Sequence, residues 1–153
     1  MQNIREQYAD EVIVAAASRI ADERFMRDSD TLSSPSAVRG YLTAKLRPLQ
    51  HEEFVVIFLD NHHKVIDSRS LFRGTINAAS VYPREVAREV LIRGAAAVIL
   101  AHNHPSGNPD PSSADRRITQ TLVEALALID CRVLDHLIVA DHKITSFAER
   151  GLL

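Results

Sequence analysis

A single cysteine, Cys131, stands in the 153 residues, so no intramolecular disulfide can form. The chain is expected to work in a reducing compartment, the cytoplasm, with Cys131 as a small buried side chain. No dense run of Lys or Arg occurs and the formal net charge is −2, which argues against strong nonspecific binding to nucleic acid. Long apolar runs are missing as well. Arg5, Glu6, Asp10 and Glu11 interrupt the first periodic region, so neither a signal peptide nor a membrane span is expected. There is no internal repeat and no low-complexity tract. With 46% hydrophobic residues, one domain over 1–153 is expected, comprising an N-terminal helical segment at 1–30 and a core at 34–153.

The chemistry present is concentrated between His102 and Asp115. The preceding run, Ala95 to Ala101, is short, apolar and β-branched in its middle, which predicts a buried strand. Open α/β sheets place ligands at the C-terminal ends of such strands. Residues two apart on an extended backbone point the same way, so His102 and His104 present their imidazoles to one point and Asn103 faces the other side. Pro105, Pro109 and Pro111 stiffen the loop that follows, because each fixes φ near −65° and removes a donor.

Apolar residues at Ile118, Leu122, Ala125 and Ile129 then predict a helix with one buried face, capped by Ser112. Asp115 falls in its first turn, where a carboxylate suits the helix dipole and can close back onto the histidines. A His-x-His pair can be two loop histidines, and Asp115 alone can be a helix-end carboxylate. Together they make two imidazoles and one carboxylate, the three protein ligands typical of a catalytic zinc whose fourth position is open to water. One Zn2+ per chain is expected.

The pattern His-x-His-Pro, six residues, then Ser-x-x-Asp resembles the signature of the JAMM (MPN-plus) metalloproteases, and Asn103 with Ser106-Gly107 resembles their bacterial RadC-like branch. The likeness extends through Glu53-Phe54, Arg73-Gly74-Thr75 with Asn77-Ala78, Pro83-Arg84-Glu85, Leu134 to Ile138 and Phe147 to Gly151, about four-fifths of the chain. It implies an α/β fold with a mixed sheet sandwiched by helices, of the JAMM/MPN (cytidine-deaminase-like) architecture. It also implies a metallopeptidase or isopeptidase acting on a protein or peptide. On that resemblance the metal ligands are His102, His104 and Asp115, the assisting serine is Ser112, and the general base is Glu53. Glu52 is the competitor for the last role. Alternation puts Glu53, Val55, Ile57 and Leu59 on one strand face and Glu52, Phe54, Val56 and Phe58 on the other, without saying which face holds the site. The resemblance favours Glu53. Zinc would activate a water, Glu53 would move its proton to the leaving amine, and Ser112 would donate to the oxyanion.

The other histidines are expected to play lesser parts. His62 and His63 sit in a polar hairpin turn with Asp60 and Lys64, and His142 in a similar one, so all three are expected in solvent. His51 is a surface or cleft residue. His136 interrupts the apolar run Val133 to Val139, and is either a hydrogen-bonded structural histidine or a group that orients something in the site. Arg116 and Arg117 flank the motif and could contact substrate.

Elsewhere, Ile4, Tyr8, Val12, Ala15 and Ile20 predict a first helix that packs on the core or serves as a homodimer contact. A polar break at Asp28-Ser29-Asp30 and a second helix from about Ser33-Pro35 follow. Strands are expected at 53–60, 64–72 and near 74–81, a helix from Pro83 to Gly94, and a final strand region at 131–146. Longer RadC-like proteins carry an upstream helix-hairpin-helix domain associated with DNA, for which this chain has no room, so a nucleic-acid role is the weaker alternative. The letters His-Asn-His lack the ββα module of an HNH nuclease. A nucleobase deaminase would need a Pro-Cys-x-x-Cys ligand pair. A non-catalytic scaffold is the remaining alternative, and the intact ligand set argues against it.

Overall fold

The computed structural model describes residues 4–27, 34–74 and 80–153. Its centre is a sheet of five strands: β1 (Glu53–Leu59), β2 (Val65–Arg73), β3 (Ala97–Asn103), β4 (Arg132–Ala140) and β5 (Lys143–Ser146), in the spatial order β2-β1-β3-β4-β5. Among the described strands only β3 and β4 run parallel. Parallel neighbours need a crossover, which here is a long helix, α4 (Ser113–Ala127). The other helices are α1 (Ile4–Arg27), α2 (Pro35–Leu46) and α3 (Pro83–Arg93).

Punctuation residues set the element ends. Ser34 caps α2 by accepting from Ala37 N–H at 3.3 Å, and Pro35 begins it. Pro83 starts α3, and Gly94 ends it at φ 62, a conformation that suits glycine. Between β1 and β2, Asp60 Oδ1 accepts from His62 and Lys64 N–H, closing the expected turn.

The central strands are covered on both faces, which is why β1 and β3 read as continuous apolar runs. Val55, Ile57 and Leu59 pack with Leu42 and Leu46 of α2 and Phe25 of α1. Phe54, Val56 and Phe58 pack on the other face with Val86 and Val90 of α3 and Leu122 and Leu126 of α4. The mixed sheet flanked by helices agrees with the expected class.

The strand expected near 74–81 falls largely outside the described residues: Gly74, Ser80 and Val81 lie outside any strand, and 75–79, with Thr75, Asn77 and Ala78 of the family pattern, are not described. The final region, 131–146, is a hairpin of two strands that turns at Asp141 (φ 48). The polar break at 28–30 also lies outside the described residues.

α1 packs on the core through its C-terminal turns. Phe25 stacks on Tyr41 with centroids 3.9 Å apart, and Asp22 accepts from buried Lys45 at 2.7 Å and from the Tyr41 hydroxyl. Burial and then Asp22 push the Tyr41 pKa above its ordinary value, so the phenol remains a donor. The first turns of α1 expose Ile4, Tyr8, Val12 and Ile13. Among the described residues no helix is long and apolar enough to cross a membrane.

Candidate metal centre

β3 delivers His102 to the C-terminal edge of the sheet, and the hydrogen bond from His104 N–H to the Val139 carbonyl (2.9 Å) keeps the chain extended for two residues more. Both imidazoles therefore emerge on one side, with their Nε2 atoms 3.0 Å apart. The chain then turns at Gly107, whose φ of 81 suits glycine, and Gly107 N–H donates to the His104 carbonyl. Thr145 ties the loop down by donating to the Pro109 carbonyl at 2.7 Å.

The loop ends at Ser112, the N-cap of α4. Its hydroxyl accepts from Asp115 N–H at 3.0 Å while its own N–H donates to Asp115 Oδ2 at 2.8 Å, a reciprocal capping box. The cap aims the Asp115 carboxylate at both histidines: Oδ1 lies 3.1 Å from His102 Nε2 and Oδ2 3.1 Å from His104 Nε2. Burial alone would raise the Asp115 pKa, but the two imidazoles and Ser112 N–H outweigh it and hold the carboxyl well below its usual range. Burial likewise works against a charged His104, and Asp115 and the Asn108 carbonyl reverse this, raising its pKa. The cluster thus attracts positive charge, which a cation can supply in place of protons. The donor set suits zinc, and His104 is already correctly arranged for it: Nδ1 donates to the Asn108 carbonyl at 2.7 Å, which leaves Nε2 with a lone pair.

A cleft of about 490 Å³ opens above these atoms, lined by Glu52, Phe54, Pro105, Ser112 and Ile118 among others. The glutamate in it is Glu52, not the Glu53 favoured from the sequence. Glu52, His102 and His104 each bring a ligand atom within 4.8 Å of the others. Strand register explains the choice. Phe54 pairs with His102 across the antiparallel β1 and β3, so two residues further Glu52 comes opposite His104 and Glu53 opposite Asn103. Cross-strand partners share a face. The Glu53 carboxylate accepts instead from Ser70 Oγ (2.7 Å) and meets His51 Nε2 (2.9 Å), and despite the opposing effect of burial these partners lower its pKa. Burial raises the pKa of Glu52, partly offset by the neighbouring histidines, which moves it toward the range useful to a general base.

His51 is accordingly on the Glu53 side, outside the cleft. Asn103 faces away from the cleft and clamps the backbone around Glu52: its Oδ1 accepts from Glu53 N–H at 2.8 Å and its Nδ2 donates to the His51 carbonyl at 2.9 Å. Gly74 N–H holds the Glu52 carbonyl at 2.8 Å. His136 is wholly buried beneath the site, its Nε2 2.8 Å from His102 Nδ1. Burial, then the nearby His102, pushes its pKa well down. His62 and His142 are exposed, whereas His63 is partly covered and meets Arg132. Arg116 and Arg117 are exposed and do not line the cleft. Thr119, buried beneath the site one turn after Asp115, went unnoticed in the sequence. Its signal was a polar residue on the apolar face of a helix.

Comparison with known proteins places the chain in a family. The family described as "RadC-like JAB domain" matches residues 32–152. A UPF0758 protein of Vibrio cholerae is 53% identical over 141 residues, covering 92% of this chain and 88% of that protein. UPF0758 proteins of Vibrio parahaemolyticus (55% over 126 residues) and Stenotrophomonas maltophilia (58% over 121 residues) cover 82% and 79% of this chain. Of those two longer relatives the chain spans only 56% and 52%.

Proposed function

For a chain that belongs to the RadC-like JAB family, we propose a zinc-dependent hydrolase that cleaves a peptide or isopeptide bond of a protein substrate. The observation that carries this is the convergence of His102 Nε2, His104 Nε2 and Asp115 at about 3 Å beneath a cleft that also holds Glu52. In this reading His102, His104 and Asp115 hold the metal. Bound zinc supplies Lewis acidity, making a water acidic near neutral pH and polarising the scissile carbonyl. Glu52 takes the proton of the attacking water and hands it to the leaving amine. Ser112 sits at the cleft wall with its lone pair engaged by Asp115 N–H, so its one proton is available to the oxyanion. The helix cap and the oxyanion donor are compatible roles for one hydroxyl. The single buried thiol suits a reducing compartment, the cytoplasm in this reading.

The test compares Glu52→Gln with Glu53→Gln. Glu52→Gln is expected to keep about one zinc per chain and lose about 10²–10⁴-fold in turnover, while Glu53→Gln retains turnover. Quantitative proteomics of cells expressing the native chain or the Glu52→Gln form identifies partners cleaved by one and retained by the other. Full turnover in the Glu52→Gln chain would remove the proposed base.

A further inference from the structure

Beneath the metal centre runs a line of hydrogen bonds whose proton positions can be worked out from donor and acceptor chemistry alone. Thr119 Oγ1 lies 2.6 Å from the Asp115 backbone carbonyl oxygen and 2.6 Å from His136 Nδ1. A hydroxyl has one proton and a carbonyl can only accept, so the threonine proton goes to Asp115. Thr119 therefore meets His136 with a lone pair, and His136 Nδ1 must carry the proton of that contact. His136 is wholly buried, stacked on Phe147 and edge-on to Phe54, and no carboxylate hydrogen-bonds to its ring among the described residues. Such surroundings favour the neutral imidazole, whose second nitrogen, Nε2, is then bare. That bare nitrogen is 2.8 Å from His102 Nδ1, which must donate to it. With its proton on Nδ1, neutral His102 has a lone pair on Nε2, the atom that faces His104 and Asp115.

We propose that Thr119 and His136 form a proton-ordering relay that holds His102 in the tautomer with Nε2 unprotonated, ready to ligate a divalent cation such as zinc. The relay has something to oppose. Asp115 Oδ1, 3.1 Å from His102 Nε2, is an acceptor that by itself favours a proton on Nε2, the wrong tautomer for a ligand. His104 needs only the Asn108 carbonyl for the same purpose, because that acceptor is unambiguous. His102 leans on another histidine, which can be donor or acceptor, and Thr119 removes that ambiguity. His136 and Thr119 are thus positioning residues, acting through His102 rather than on a substrate.

The identity of the ion rests on the hydrolase reading above, whereas the proton order is a property of the chain itself. It is read by NMR on the metal-free full chain with 15N-labelled histidine at alkaline pH. The relay requires His136 and His102 both to carry the proton on Nδ1, opposite to the Nε2–H form that free imidazole side chains prefer. In parallel, zinc affinity is measured by competition with a chelator. Thr119→Val, which cannot accept from His136, is expected to raise the zinc Kd about 10–100-fold and to mix the His136 tautomers, while Thr119→Ser restores both. A His136 Nε2–H tautomer in the native chain overturns the relay, as does native affinity in a folded Thr119→Val chain. Should Thr119→Val not fold, the tautomers of the native chain decide alone. A native chain that binds no zinc sinks the hydrolase reading and leaves the proton order to be read.

Discussion

In the proposed hydrolase, replacing Asn103 with alanine isolates the positioning of Glu52 from the binding of metal. The Asn103 side chain is buried and makes two hydrogen bonds to main chain on either side of Glu52, at 2.8 Å to Glu53 N–H and 2.9 Å to the His51 carbonyl. Truncation leaves both backbone groups without their partner. A fully buried orphan costs about 1–3 kcal/mol, but this strand start is partly open to water, so about 1–3 kcal/mol for the pair together is expected, read from urea unfolding. The larger effect falls on chemistry. Gly74 N–H would still hold the Glu52 carbonyl, but the side facing Asn103 is freed, and a displacement of about 1 Å in a positioned group costs on the order of 10²-fold in rate. Because His102 and His104 are placed by β3 and the Val139 contact, zinc stoichiometry should stay at one. The assay is turnover on a partner identified with the Glu52→Gln chain, beside zinc content and unfolding of the same preparation. Unchanged turnover in Asn103→Ala, or loss of zinc in step with turnover, would refute the clamp.

Cys131 should be a slow nucleophile, because burial pushes its thiol up to about 11; alkylation near pH 8 should proceed far faster in denaturant than in the folded chain. The sign for stability follows: with the folded pKa raised above the ordinary 9.0, Cys131 has no effect below pH 9 and destabilises the fold progressively between 9 and about 11, as only the unfolded thiol ionises. Gly107→Ala places a Cβ at φ 81 with its nearest neighbour, Asp141 Cβ, 3.9 Å away, so backbone strain of about 1–2 kcal/mol acts without a clash. It should weaken zinc binding measurably by shifting the loop that carries Asn108, and equal affinity would show that the loop does not position His104.

Local chemistry made much of the fold legible. Ser112, Pro83 and Gly94 announce helix ends through interactions within a few residues, and the structure puts them at those ends. The His102 to Asp115 motif was legible because the atoms that must meet are joined by one loop. Residues that act from a distance, Glu52 across the sheet and Thr119 beneath it, were ambiguous or overlooked.

The meeting of His102, His104 and Asp115 was legible in the sequence alone, since strand alternation brings the two histidines together and a capped helix start turns Asp115 toward them. Only the tertiary structure decided which glutamate joins them. β1 is apolar on both faces, so alternation separates Glu52 from Glu53 but names neither. The label comes from the antiparallel register of β1 with β3, which sets Glu52 opposite His104, and from α4 covering that same face. Register and layer order are relations between segments some fifty residues apart, and no local pattern carries them.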